Sequence, residues 1–213
     1  MDDDVPEAEI VREYAFADAE QVNGVTYDGA RVWFAAGTRL RAFDPATGAE
    51  TGALEVACDA GTAYDGEHLY QLDHGVIHVL EPHTGRSLRT ITVRAESAAG
   101  LTWAEGKLWL ADYRARSIQQ IDPQSGQVLR TIQSDRFVTG VSWVDGELWH
   151  GTWENSQSEL RRVDPERGEV LDRLAMPKGT MVSGLESDGA DLFFCGGGTS
   201  GKVRAVRRPK RAR

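Results

Sequence analysis

Cysteine is scarce: Cys58 and Cys195 are the only two in 213 residues. They are too few and too far apart for a disulfide framework or a zinc knuckle, so both are expected to be ordinary thiols. Positive charge is also short, with 24 Lys and Arg against 33 Asp and Glu and a formal net charge of -9. That balance argues against nucleic acid and anionic membranes as partners, because both are negative and would be repelled. No run approaches the roughly 18 apolar residues of a membrane span. Met1-Asp2-Asp3-Asp4 has neither the basic nor the apolar region of a signal peptide. A cytoplasmic protein is therefore expected, or a secreted one if a leader has been removed. Missing too are a capped helical period of a dozen residues and any linker-like stretch, which leaves one domain of short strands.

What is present is a repeat. An acidic residue followed by glycine recurs at Asp28-Gly29, Asp65-Gly66, Glu105-Gly106, Asp145-Gly146 and Asp188-Gly189, at intervals of 37, 40, 40 and 43 residues. A second turn follows each of the first four: Asp44-Pro45-Ala46-Thr47-Gly48, Glu81-Pro82-His83-Thr84-Gly85, Asp122-Pro123-Gln124-Ser125-Gly126 and Asp164-Pro165-Glu166-Arg167-Gly168. Proline presets φ for the second turn position, glycine accepts the positive φ that closes it, and the acidic side chain can cap the turn amides. The runs between turns, such as Val32-Trp33-Phe34 and Leu40-Arg41-Ala42-Phe43, are short, alternating and rich in aromatic and β-branched residues, as strands are.

Each unit thus reads as strand A, acidic-glycine turn, strand B, loop, strand C, proline-glycine turn, strand D. One such sheet would leave both faces wet, whereas radial stacking buries them. The fold class expected is all-β, a five-bladed β-propeller of four-stranded antiparallel blades. The aromatics Trp33, Tyr70, Trp109, Trp149 and Phe193 would fill the layers between blades. The fifth unit lacks strand D, so the alternating segment from Ile10 to Phe16 is placed as its outer strand, closing the ring. The boundaries that follow are an acidic extension over 1–9, a propeller over 10–206 and a basic tail over 207–213.

In such a meander the A–B and C–D turns lie at one end, and the variable B–C and D–A connections share the other, where loops on a rigid scaffold carry function. Aligning the B strands on their aromatics places Asp73-His74, Asp112-Tyr113 and Thr152-Trp153 at matching positions, with small residues in blades 1 and 5. Tyr113 and Trp153 would wall a mouth for a small polar or aromatic ligand, with His74 beside them and Asp73 and Asp112 behind. His150, by register, packs between sheets. A metal set of His74, His150, Cys58 and Cys195 has no specific spacing, so no metal and no cofactor is expected. Gly196-Gly197-Gly198 has neither the lysine nor the following helix of a phosphate loop.

Leu69-Tyr70-Gln71-Leu72 with Leu88-Arg89-Thr90-Ile91, Leu108-Trp109-Leu110-Ala111-Asp112 with Ile121-Asp122-Pro123, and Trp143-Val144-Asp145-Gly146-Glu147-Leu148-Trp149 through Thr152-Trp153 resemble successive blades of the plant and bacterial type of glutamine cyclotransferase. The likeness runs from about Gln21 to Gly198. It implies a five-bladed fold and a pocket for a peptide N-terminus whose glutamine is cyclised. The family's catalytic positions have diverged here: its Glu falls on Ala60, a Trp on Ala99, an Asn on Thr139 and a Lys on Gly198, while Asn23 keeps an amide and Trp153 an aromatic. Alternation along the strand would turn Asp59 away from Ala60.

The expected ligand-binding set is therefore Asn23, Asp73, His74, Asp112, Tyr113 and Trp153, with no catalytic residue assigned. The leading expectation is a diverged propeller of this type, monomeric, binding a small molecule or peptide N-terminus without the usual cyclase mechanism. The alternatives are an active glutaminyl-peptide cyclotransferase with a relocated acid or base, and a non-enzymatic interaction scaffold.

Overall fold

A computed structural model describes residues 5–210, so that the acidic run 2–4 and the tail residues 211–213 lie outside the described residues. The described residues form twenty strands in five four-stranded antiparallel sheets. Blade 5 borrows its outer strand from the N-terminus: β1 (Ile10–Ala15) pairs with the last strand of the chain. Blade 1 follows as β2 (Val25–Tyr27), β3 (Val32–Ala36), β4 (Arg39–Phe43) and β5 (Glu50–Leu54), and blade 2 as β6 (Thr62–Tyr64), β7 (Leu69–Asp73), β8 (Val76–Leu80) and β9 (Ser87–Thr92). Blade 3 holds β10 (Ala98–Ala104), β11 (Lys107–Asp112), β12 (Ser117–Ile121) and β13 (Val128–Gln133). Blade 4 holds β14 (Val138–Val144), β15 (Glu147–Thr152), β16 (Glu159–Val163) and β17 (Val170–Ala175). Blade 5 adds β18 (Gly184–Ser187), β19 (Leu192–Gly196) and β20 (Lys202–Arg207) to β1. This is the five-bladed propeller that the repeat predicts, with the ring closed by the N-terminal strand.

The turn residues act as their chemistry requires. Asp28 Oδ1 accepts the amides of Ala30 and Arg31 at 3.0 and 2.7 Å, and its other oxygen accepts Trp33 Nε1–H at 2.7 Å. Asp65 repeats the arrangement with the amides of Glu67 and His68 and the hydroxyl of Tyr70. Asp44, Asp122 and Asp164 accept amides inside the proline turns, from Ala46, Ser125 and Glu166. Blades 3 and 4 differ at the first turn: Glu105-Gly106 and Asp145-Gly146 place both residues at positive φ, the two-residue hairpin turn whose twist matches the strands.

The hydrophobic core is divided into slabs. Five apolar clusters lie one at each blade–blade interface, and the predicted aromatics sit in them, each no more than 3% exposed. Tyr70 stacks on Trp103 of the next blade at 5.3 Å, Trp109 on Trp143 at 5.7 Å, and Trp149 meets Phe193 at 5.1 Å. At the closure, Tyr14 and Phe16 pack on Phe34 and Phe43 of blade 1, with Phe16 and Phe34 stacked at 4.3 Å.

Packed chain continues beyond both ends of the span 10–206. Ala8 donates its amide to Ala175 O at 2.8 Å and is buried against blade 4. Arg207 N–H donates to Glu9 O at 2.9 Å, and Arg208 pairs with Asp145 and reaches Ala190 O at 3.0 Å.

The innermost strands meet at a ring of glycines. A Cβ built on Gly24, Gly61, Gly100, Gly140 or Gly184 would fall 2.3–2.4 Å from backbone of the next blade in order, Gly184 closing on Asn23 of blade 1. Strands this close have no room for any side chain at those positions. The ring narrows the axis, and its level is the floor that divides the residues on the loop-rich side from those on the other.

Candidate functional site

The residue just before each ring glycine faces the loop-rich end. These are Asn23, Ala60, Ala99, Thr139 and Ser183, and all five line a cavity of about 330 Å³ above the floor. Tyr113 and Trp153, from the B–C connections of blades 3 and 4, wall it, and Gln21, Asp59, Ala98, Met181 and Val182 complete it. Tyr113 is held by its amide bond to Ser97 O at 2.9 Å and by stacking on Phe137 at 4.7 Å.

The polar groups of the mouth are arranged unequally. Asn23 donates from Nδ2 to Asp59 O at 2.7 Å and accepts from Gln21 Nε2 at 2.8 Å. Ser183 Oγ donates to the carbonyls of Val22 and Asn23 at 2.6 and 3.0 Å. Thr139 Oγ1, on a residue only 6% exposed, has no hydrogen-bond partner among the described residues and is packed against Gly151 rather than open to the mouth. Asp59 brings the one carboxylate among the lining residues.

Of the expected residues, Asn23, Tyr113 and Trp153 converge on this mouth; Asp73, His74 and Asp112 do not line it. The B–C connection of blade 2 is itself a two-residue turn, with His74 at φ 47° and Gly75 at φ 78°, and it carries the imidazole outward to 81% exposure. His74 borders a separate groove of about 380 Å³ with Asp59, Glu96 and Ser97. There its Nδ1 lies 3.0 Å from Asp73 Oδ1 and 3.4 Å from Asp59 Oδ2. The hydrogen bond to Asp73, then the charges of Asp59 and Asp73, hold the imidazole pKa above its usual value. Asp112 is buried and accepts Ser97 Oγ–H at 2.7 Å, fastening the loop into blade 3 rather than facing solvent.

Asp59 is the residue that sequence reasoning turned the wrong way. Strand alternation does not apply to it, because β6 begins only at Thr62 and Asp59 lies in the connection before it. The signal was available by counting from the glycines: two residues before each stand Val22, Asp59, Ala98, Val138 and Val182, and the single charged one is Asp59.

Below the floor lies a second polar layer. Glu186, two residues beyond Gly184, accepts Ser142 Oγ–H at 2.7 Å and its neighbour Ser187 N–H at 2.9 Å on one oxygen. Its other oxygen accepts Thr102 and Thr26 hydroxyls at 3.2 and 3.3 Å, so three other blades converge on it. Burial raises its pKa to about 7 against the pull of these donors. His150 packs between sheets as its register predicts, its pKa pushed by burial down to about 4. Burial likewise raises the Cys58 and Cys195 thiols to about 11 and about 12, far from the reactive range.

Residues 36–207 match the PQQ_2 family, described as outer membrane protein assembly factor BamB. No curated protein matches the chain. Among solved structures, the glutaminyl cyclase of Myxococcus xanthus superposes with a TM-score of 0.78 at 19% identity, over 94% of this chain and 95% of that one. U3-55K superposes with a TM-score of 0.58 at 11% identity over 95% and 100% of the two chains. The WD40 β-propeller domain of Doa1 gives 0.56 at 15% identity, over 87% of this chain and 63% of that one. At these identities the likenesses establish the propeller fold alone. No helix among the described residues is long and apolar enough to cross a membrane.

Proposed function

We propose that this chain, which belongs to the PQQ_2 family described as outer membrane protein assembly factor BamB, binds a small polar molecule or a peptide N-terminus in the mouth above the glycine floor. The observation that carries the reading is the composition of that cavity: two aromatic walls, Tyr113 and Trp153, with the carboxylate residue Asp59 beside them on the rim. Aromatic faces and a carboxylate together favour an ammonium group, which gains from both the ring quadrupole and the charge.

The usual cyclase mechanism is not part of this reading. Cyclisation requires a group that takes a proton from the attacking amine and delivers one to the departing ammonia. Ala60 and Ala99 stand where the resembled family has Glu and Trp, and alanine does neither task. The second reading, an active cyclase with relocated acid–base chemistry, is favoured by Asp59, whose carboxylate borders the mouth beside Ala60.

Calorimetric titration with a dipeptide bearing a free amino terminus, and with its N-acetylated form, separates these ideas. The free form is expected to bind and the blocked form not. Trp153→Ala should weaken binding about five- to thirtyfold while the melting temperature stays nearly unchanged, the loss of one aromatic wall being worth about 1–2 kcal/mol. His68→Ala should leave it intact, since that side chain does not line the mouth. Equal affinity for free and blocked dipeptides would refute the ammonium reading. Ammonia released above background from a glutaminyl dipeptide, and lost in Asp59→Asn, would establish the second.

A further inference from the structure

The groove beside the mouth carries a grouping of which the ligand reading uses only Asp59. Asp59 comes from the connection between blades 1 and 2, and Asp73 and His74 from the tight turn after β7. Among the described residues they form a set of three His, Cys, Asp or Glu donors, one atom from each lying within 4.8 Å of the others. We propose that Asp59, Asp73 and His74 form a binding site for a first-row divalent transition-metal ion, a site that shares Asp59 with the mouth but does not require the mouth to take an amine.

The spacing is the first reason. Donors about 2.1 Å from a zinc-like ion are about 3.0 Å apart at a right angle and about 3.4 Å apart at a tetrahedral angle. His74 Nδ1 stands 3.0 Å from Asp73 Oδ1 and 3.4 Å from Asp59 Oδ2. These two separations are those of ligands around one centre, and the third, between the two carboxylates, is within 4.8 Å.

The hold on each donor is the second. The His74 amide donates to Asp59 Oδ1 at 3.3 Å, which leaves Oδ2 turned toward the imidazole. His74 and Gly75 both lie in the left-handed region, in a turn closed by the Asp73–Val76 strand pair, so Asp73 and His74 cannot drift apart. The donors come from two connections that the rigid propeller holds together, and such preorganisation favours a metal site.

The donor set then selects the ion. One imidazole nitrogen and two carboxylate oxygens suit zinc, manganese or cobalt, whereas copper(I) prefers sulfur and calcium takes oxygen alone. Three protein donors leave positions open toward the groove of about 380 Å³, where Glu96 offers a further carboxylate. Open positions are what distinguishes a site that admits water or substrate from a closed structural one.

The test is calorimetric titration of Zn2+ into the chelator-treated full chain, comparing wild type with His74→Asn, Asp59→Asn and His68→Ala. Asparagine tolerates the left-handed backbone at position 74, so that variant removes the imidazole without straining the turn. One saturable site is expected in the wild type, weakened more than about tenfold in the first two variants and unchanged in the third. The melting temperature should rise with Zn2+ in the wild type and in His68→Ala only, since a ligand that binds the folded state alone stabilises it. Absence of a saturable heat in the wild type, or an undiminished one in both His74→Asn and Asp59→Asn, would overturn the assignment.

Discussion

Glu186→Gln should stabilise the protein in mild alkali and leave it nearly unchanged in mild acid. The carboxyl is buried, and its pKa is raised from 4.5 to about 7, burial being the main cause. A carboxyl whose folded pKa exceeds its unfolded value favours folding most when protonated in both states, below pH 4.5. As pH rises the unfolded chain loses its proton first, so stability falls until the folded group also ionises near pH 7. A tenfold change in the protonation equilibrium is worth about 1.4 kcal/mol, so the full difference is about 3 kcal/mol.

Glutamine imitates the protonated acid. Its carbonyl oxygen can take the place of the oxygen that accepts Ser142 and Ser187, and its amide can donate to Thr26 and Thr102 once those hydroxyls rotate. Urea unfolding of both proteins at about pH 5 and about pH 8 provides the measurement. The difference between variant and wild type is the quantity to follow, because other carboxylates shift with pH in both. It should be small at the lower pH and approach about 3 kcal/mol in favour of the variant at the higher. A variant destabilised equally at both would show that the ion itself ties the blades together, and the burial argument would be wrong.

The other expectations concern packing. Gly100→Ala would put a Cβ 2.4 Å from Thr139 O, and displacing backbone at the floor should cost about 2–3 kcal/mol or more in chemical denaturation. Gly52→Ala, where nothing lies within 4 Å and φ is not positive, should change stability by no more than about 0.5 kcal/mol. Phe16→Ala removes an 8% exposed ring stacked on Phe34, and about 3–4 kcal/mol should be lost as the closure between blades 5 and 1 loosens. If instead Phe16→Ala melted like the wild type, the N-terminal strand would not be what closes the ring.

The architecture was legible because it repeats. Turn chemistry at near-constant spacing and one aromatic per unit gave the blade count, the strand order and the inter-blade layers, since each feature had five chances to agree. The site was less legible because its residues are the ones that break the repeat. Tyr113 and Trp153 line the mouth where their register at the ends of strands puts them, because alternation still holds there. His74 shares that register, yet a left-handed two-residue turn swings it outward, and no count along the strand reveals that. Asp112 looks equivalent to Asp73, but Ser97 from a different connection captures it, a contact set by loop geometry rather than by spacing.

The glycine floor also decides what Glu186 does. A buried carboxyl with a pKa near 7 is the usual description of a general acid or base, and it stands on the axis of a fold shared with a glutaminyl cyclase. Its hydroxyl partners, Thr26, Thr102 and Ser142, lie two residues past their ring glycines, whereas the mouth is lined by residues one and two places before them. Between the layers the strands approach so closely that even a methyl group would strike backbone. A group that serves a reacting atom must reach it directly or through one water. Glu186 thus lies on the far side of the glycine ring from the residues that line the mouth, and its raised pKa makes the contacts it forms among four blades sensitive to pH.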